Sequence, residues 1–338
     1  MKYYKAMNED MSCRGFQYEI GGIYELPKDV ELKICKRGFH FCDILTNCFN
    51  YYTKGKCIIC EVEPLGKIIH DKNENKLVTD KIKIVRQLSD EEIKKEQYVI
   101  QDGIEIIGDG CFYKCTDLKE ITIPNSVTYI GKKAFAYCTD LKEVNIPDSV
   151  IYIGNDCFVH CTDLKEVNIP DSVTSIGCGA FWDCCNLKEI IIPNGVTYIG
   201  NNCFAHCTDL KEITIPNSVT YIGDDCFYNC TDLKEITIPN SVTSIGCGAF
   251  YGCESLESIT IPDSVTSIEY GTFEGCTSLK SITIPNRVTS IGENAFYNCK
   301  NLEKIYVPKD FDINVFNTHR INGKIKLLDR VEIVRIEK

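Results

Sequence analysis

A chain of 338 residues is long enough for one large or two ordinary domains, and 44% hydrophobic with 25% charged residues is ordinary globular composition, which excludes wholesale disorder. The net charge of −11 argues against nucleic acid or an anionic membrane surface as partner, since either wants a basic stripe and none is visible. No run approaches the roughly eighteen consecutive apolar residues of a membrane-spanning helix, and residues 1–11 lack the apolar core of a secretory signal, so a cytoplasmic protein without membrane insertion is expected.

Residues 1–88 carry no repeat and read as a small α+β domain of unknown function, with candidate strands over 57–62, 67–70 and 81–85 and a candidate helix over 43–52. Cys57-Ile-Ile-Cys60 has metal-pair spacing, but residues three apart on a strand face opposite ways, so its thiols are expected to be structural. Arg14 beside Cys13, or His40 beside Cys42, is the kind of neighbour that lowers a thiol pKa. A pocket gathering Arg14, Glu19, His40 and Cys42 would mark an enzyme. Ser89-Asp-Glu-Glu92 is a capping box and predicts a linker helix within 89–98, with the domain boundary near residue 89.

From there to residue 308 one unit recurs. Prolines at 124, 147, 170 and onward to 308 are each 23 residues from the next, and phenylalanine keeps the same step from Phe112 to Phe296. Three residues after each Phe comes a cysteine, from Cys115 to Cys299, and six after it a leucine, from Leu118 to Leu302. Leu118, Ile121 and Ile123 have the Leu-x-x-Ile-x-Ile spacing of leucine-rich repeats. Alternation of Ile121 and Ile123 predicts a short strand, which Pro124 ends because it has no N–H for a further ladder bond. Val127 and Ile130 return inward, and Gly131 permits a turn into the Ala134-Phe135 segment, too short for more than a turn or so of helix. The fold class expected is therefore an α+β N-terminal domain followed by a β-rich solenoid of about nine to ten units over 99–308, with 309–338 as a C-terminal cap carrying the apolar pairs Ile325 with Leu327 and Val331 with Ile333. The blocks starting at Pro124 and Pro193 match closely over 69 residues, a duplication of three units at once.

The stretch Ile-Pro-Asn-Ser-Val-Thr-Tyr-Ile-Gly followed by Ala-Phe-Ala-Tyr-Cys-Thr-Asp-Leu-Lys-Glu-Val at 123–144 resembles the BspA-type, or Treponema-type, leucine-rich repeat. That resemblance implies a binding scaffold of the kind found in bacterial surface proteins and in expanded protist and viral families, attaching to other proteins. Met11-Ser-Cys-Arg-Gly-Phe-Gln-Tyr, Gly38-Phe-His-Phe-Cys42 and Lys81-Ile-Lys-Ile-Val-Arg resemble an uncharacterised module of phage and bacterial proteins, which implies no particular activity.

Of the 22 cysteines, the nine that follow Phe at fixed spacing would form a column of reduced, buried thiols acting as small apolar fillers. Cys157-Phe-Val-His160-Cys161 and Cys203-Phe-Ala-His206-Cys207 supply zinc-type ligands, yet the same cysteine positions recur without histidine or alternate with alanine, so no metal and no cofactor is expected. The Lys-Glu pairs before each strand form parallel ladders that can neutralise each other. Variation concentrates in the two residues after each Phe, at Tyr113, Tyr137, His160, Trp182, His206, Tyr228, Tyr251 and Tyr297, and in the turn at Tyr129, Tyr152, Tyr198 and Tyr221. Aromatic side chains bury large area with few rotors to freeze, which makes these twelve the candidate contact surface; the alternative is that they only pack over neighbouring turns. The sequence thus points to a non-enzymatic protein-binding scaffold, with an enzyme or effector in the N-terminal domain, or a structural spacer, as alternatives.

Overall fold

In the computed structural model the residues described are 1–33, 38–50, 57–71, 76–316 and 327–336. They divide into two units, Met1–Tyr113 with Ile121–Ala134, and Lys114–Glu120 with Phe135–Lys338.

In the first unit the strands are β1 (Tyr3–Met7), β2 (Ser12–Cys13), β3 (Phe16–Gln17), β4 (Ile23–Glu25), β5 (Phe39–Phe41), β6 (Ile58–Pro64), β7 (Ile68–Asp71), β8 (Lys76–Thr79) and β9 (Lys81–Gln87). One antiparallel sheet runs β1-β6-β9-β4 and another β5-β8-β7. Tyr4 and Cys42 exchange both backbone hydrogen bonds at 2.7 Å and so tie β1 to the end of β5. Period-two alternation puts Met7, Cys60, Val62, Ile82 and Ile84 in one apolar cluster, and Tyr4, Ala6, Ile59 and Leu88 in another. Cys57 packs against the second cluster while Cys60 lies in the first, so the two thiols of this pair face different interiors.

Where the sequence suggests a helix over 43–52, Leu45–Asn50 forms a 3-10 helix, and residues 51 and 52 lie outside the described residues. Thr46 and Asn47 there are buried, and Thr46 Oγ1 lies 3.9 Å from Cys111 Sγ. The helix α1 (Asp90–Glu96) is capped by Ser89, with both hydrogen bonds of the capping box present and Arg86 bonded to Glu92 at 2.7 Å. The first repeat strand, Ile106–Ile107, pairs in parallel with Tyr129–Ile130.

In the second unit each repeat contributes one strand before its proline and a second before its Ile-Gly turn, both parallel to the equivalent strands of neighbouring repeats. Glu143↔Glu166, Tyr152↔Ser175, Glu189↔Glu212 and Ile222↔Ile245 are all in register at the repeat spacing, so like positions stack. Seven consecutive Phe–Phe pairs from Phe135 to Phe296 have ring centroids 5.3 to 5.9 Å apart and planes within 10°. Leu, Val and Cys columns beside them are buried in the same way. No single repeat could shelter such a ring alone, so stability is shared between neighbours.

Around each Phe the chain forms a double bend instead of a helical turn. The residues two before and two after every Phe have positive φ, for example Asp156 (54°) with His160 (58°) and Gly248 (60°) with Gly252 (69°). Alternate N–H groups are thereby aimed at the next repeat: Phe158 donates to Ala180 O at 2.8 Å and His160 to Trp182 O at 2.8 Å. Consensus polar residues also bridge repeats. Ser172 donates to Val150 O at 2.7 Å, Thr220 to Thr197 O at 3.3 Å, and Asn155 Oδ1 accepts from Cys178 N at 2.9 Å.

The cysteine column does more than fill space. Each thiol from Cys161 to Cys299 in that column donates to the carbonyl of the Phe one repeat earlier, as Cys207 does to Phe181 O at 3.2 Å. At the far end, Glu332–Ile336 pairs in parallel with Lys304–Pro308, and buried Phe316 lies 6.4 Å from Phe296; Ile325 lies outside the described residues.

Candidate binding surface

The bend around Phe decides where the variable aromatics stand. Wherever the residue one after Phe is small, as at Ala136, Val159 and Ala205, it is buried and the residue two after carries the ring, as at Tyr137, His160 and His206. Where the first position carries the ring, as at Trp182, Tyr228, Tyr251 and Tyr297, the second is Asp183, Asn229, Gly252 or Asn298. Side chains from the two positions converge on one strip. Tyr137 stacks on His160 at 4.6 Å and His160 on Trp182 at 6.4 Å, while His206 meets Tyr228 at 5.2 Å and Tyr228 stacks on Tyr251 at 4.7 Å. His160 Nδ1 also pairs with Asp183 Oδ2. Burial and the nearby Glu274 carboxylate raise the pKa of Tyr251, so the tyrosine remains a hydroxyl donor at neutral pH.

A second strip follows the Ile-Gly turns. Tyr198 and Tyr221 stack at 5.4 Å with planes 2° apart. Burial and the thiol of Cys178, 4.0 Å away, push the Tyr198 hydroxyl up to about 12. Tyr152 stands opposite Ser175 in the same ladder. Tyr113 and Tyr129 belong to the first unit; Tyr113 is exposed and Tyr129 half-buried, as Tyr137, Tyr152, Tyr221, Tyr228, Tyr251 and Tyr297 are in the second. Trp182 remains 39% exposed despite its stacking partner.

Three exposed hydrophobics of the array escape the sequence reading, the first being Ile151, 55% exposed, which stands where Thr128 and Thr174 do in neighbouring repeats. Tyr270, 53% exposed, occupies the place held by Cys178 and Cys247, where Ile-Glu-Tyr-Gly breaks the Ile-Gly-Cys-Gly pattern. Ile191, 72% exposed, replaces the Asn or Thr that closes each strand on the Glu-bearing face. In all three places the departure from consensus is itself the signal.

The Cys-His-Cys runs are split by the fold. Cys157, Cys161, Cys203 and Cys207 are buried in the core columns, whereas His160 and His206 join the outer strip, so the three side chains of each run do not converge. In the N-terminal domain Arg14, His40 and Cys42 line one cavity, while Glu19 is exposed and is not part of that lining. A hydrogen bond with Cys42, together with burial, pushes the adjacent Cys48 thiol well up, and burial pushes Cys60 up to about 11.

Residues 90–211 and 197–322 match the BspA type leucine rich repeat region in 6 copies, and residues 1–96 match a domain of unknown function, DUF7666. A parallel-stranded array with a single repeated core layer is the class of protein the fold defines. The chain belongs to the BspA-type leucine-rich-repeat family. It is similar to a solved leucine rich cell surface protein from Faecalibacterium prausnitzii, at 29% identity over 76% of this chain and 84% of that one, with a TM-score of 0.43. It is also similar to the T. pallidum leucine rich repeat protein TpLRR, at 32% identity over 54% of this chain and 77% of that one, with a TM-score of 0.41. No curated protein matches it. Among the described residues, no helix is long and apolar enough to cross a membrane.

Proposed function

We propose that the repeat array is a non-catalytic scaffold that binds a protein partner through the aromatic strip after each Phe, centred on Trp182, Tyr228 and Tyr251. The observation that carries this reading is the continuity of the strip: Tyr137, His160 and Trp182 stack in succession, His206, Tyr228 and Tyr251 meet in succession, and Trp182 still stands 39% exposed. Rings that are held by stacking yet still half-exposed have little entropy left to lose on contact. On this reading the compartment is reducing and cytoplasmic, since each column thiol serves as an S–H donor only while reduced.

The test compares the full chain with a Trp182→Ala, Tyr228→Ala, Tyr251→Ala variant as bait in lysate of the native host. Loss of the retained protein from a variant with unchanged circular dichroism supports the strip as the contact surface. Equal retention by both baits sinks it.

An effector role for the N-terminal domain is the second reading, favoured by the meeting of Arg14, His40 and Cys42 in one cavity. Glu19 is not among the described residues of that lining, so the four-residue pocket expected of an enzyme is only partly assembled.

A further inference from the structure

The cavity of the N-terminal domain has a volume of about 360 Å³, within the range of small-molecule sites. Its charge is opposite to that of the chain. Lys5, Arg14 and Lys76 line it together with His40, and no Asp or Glu is among its described lining residues, although the protein as a whole carries −11. Lys5 and Lys76 are each only 5% exposed.

Lys5 lies on β1 in the middle of an apolar strand, on the inward face it shares with Met7. Its ammonium donates to His40 O at 2.9 Å and sits 5.4 Å from the Tyr18 ring centroid. Burial lowers its pKa, and the groups that act against this are the thiols of Cys13, Cys42 and Cys48. An ammonium in such surroundings is costly to desolvate unless an anion joins it.

Arg14 reaches the cavity from a hairpin. Cys13 pairs with Phe16, leaving Arg14 and Gly15 as a two-residue turn with φ of 51° and 83°, the geometry that prefers Asn-Gly. Arginine in the first of those positions is a local misfit whose one evident gain is a guanidinium at the cavity. His40 is held neutral at physiological pH: desolvation, with Arg14, Lys5 and Lys76 nearby, lowers its pKa to about 4. It can therefore donate or accept a hydrogen bond. Phe16 and Tyr18 provide an aromatic wall beside the cations.

We propose that this cavity binds a small phosphorylated molecule with a planar apolar body, its phosphate held by Lys5, Arg14 and Lys76 and its body against Phe16 and Tyr18. Three basic side chains gathered around His40 match a phosphate dianion better than a single carboxylate, and the volume leaves room for more than the phosphate alone. The proposal concerns the N-terminal domain and stands independently of what the array binds.

Calorimetric titration of the full chain in phosphate-free buffer, with phenyl phosphate, adenosine monophosphate and benzyl alcohol as probes, tests it. At least one of the two phosphates should bind one to one, at least tenfold more tightly than benzyl alcohol. Arg14→Asn should weaken that binding at least tenfold with no loss of thermal stability, because Asn-Gly suits the turn. Lys5→Met should weaken it as well, and Arg14→Asn alone decides if that second variant fails to fold. The idea is overturned if neither phosphate binds at millimolar concentration, if benzyl alcohol binds as well as the phosphates, or if Arg14→Asn binds like the wild type.

Discussion

The array and the N-terminal domain encode their side chains in different ways. In the array a position is used again every 23 residues, so a residue's role can be checked against its counterparts one repeat away, as with Phe204 between Phe181 and Phe227. In the N-terminal domain Lys5, Arg14 and Lys76 are each used once, and only the fold brings β1, a hairpin and β8 around one cavity. A departure from consensus is therefore readable in the array by itself, whereas in the N-terminal domain an odd residue gains meaning only through its neighbours.

The sharpest way to break this comparison is to break a column. Phe204→Ala removes a fully buried ring stacked on both sides and should cost about 3–5 kcal/mol in urea unfolding. A cost under about 1 kcal/mol would mean that the column is not a shared core. A finer test separates two cysteines of one repeat. Cys207→Ala removes the donor to Phe181 O and should cost about 1–2 kcal/mol. Cys203→Ala should cost less, under about 1 kcal/mol, since Ala134, Ala180 and Ala249 fill that position elsewhere. Equal costs would return the column to the role of plain filler.

A further test belongs to the N-terminal domain and concerns pH. His40 has its pKa lowered from 6.5 to about 4 in the fold, so the unfolded chain takes up its proton first as pH falls. Its contribution to stability is complete above about 6.5 and is lost progressively towards pH 4. Replacing it by Gln should flatten the fall in unfolding midpoint across that window. An unchanged slope would place the titration on another group.

How much was legible follows from the same contrast. Pro124, Phe135, Cys138 and Leu141 announce their columns because translation by one repeat gives each the same neighbours. The capping box at Ser89 was readable because it is local, four residues in a row. The left-handed pairs flanking each Phe were hidden by their mixed composition, with Lys133, Asp156 and Gly179 all serving one backbone need. For the same reason the twelve aromatic positions were visible as a set, but not that Tyr137 and Trp182 reach one strip from different places in the repeat. Thiol donation to a carbonyl one repeat away could not be read from composition at all. Lys5 was overlooked although a lysine between Tyr4 and Ala6 in an apolar strand is a signal of an inward charge. The 3-10 helix at Leu45–Asn50 was read as an ordinary helix because residue pattern alone does not report hydrogen-bond register.

The most direct test of the central claim is hydroxyl-radical footprinting of the full chain with and without its captured partner. Protection concentrated at Trp182, Tyr228 and Tyr251 is the result predicted, with the buried Phe column silent in both states. Protection confined to aromatics of the N-terminal domain, such as Phe16 and Tyr24, would contradict it and make the array a carrier.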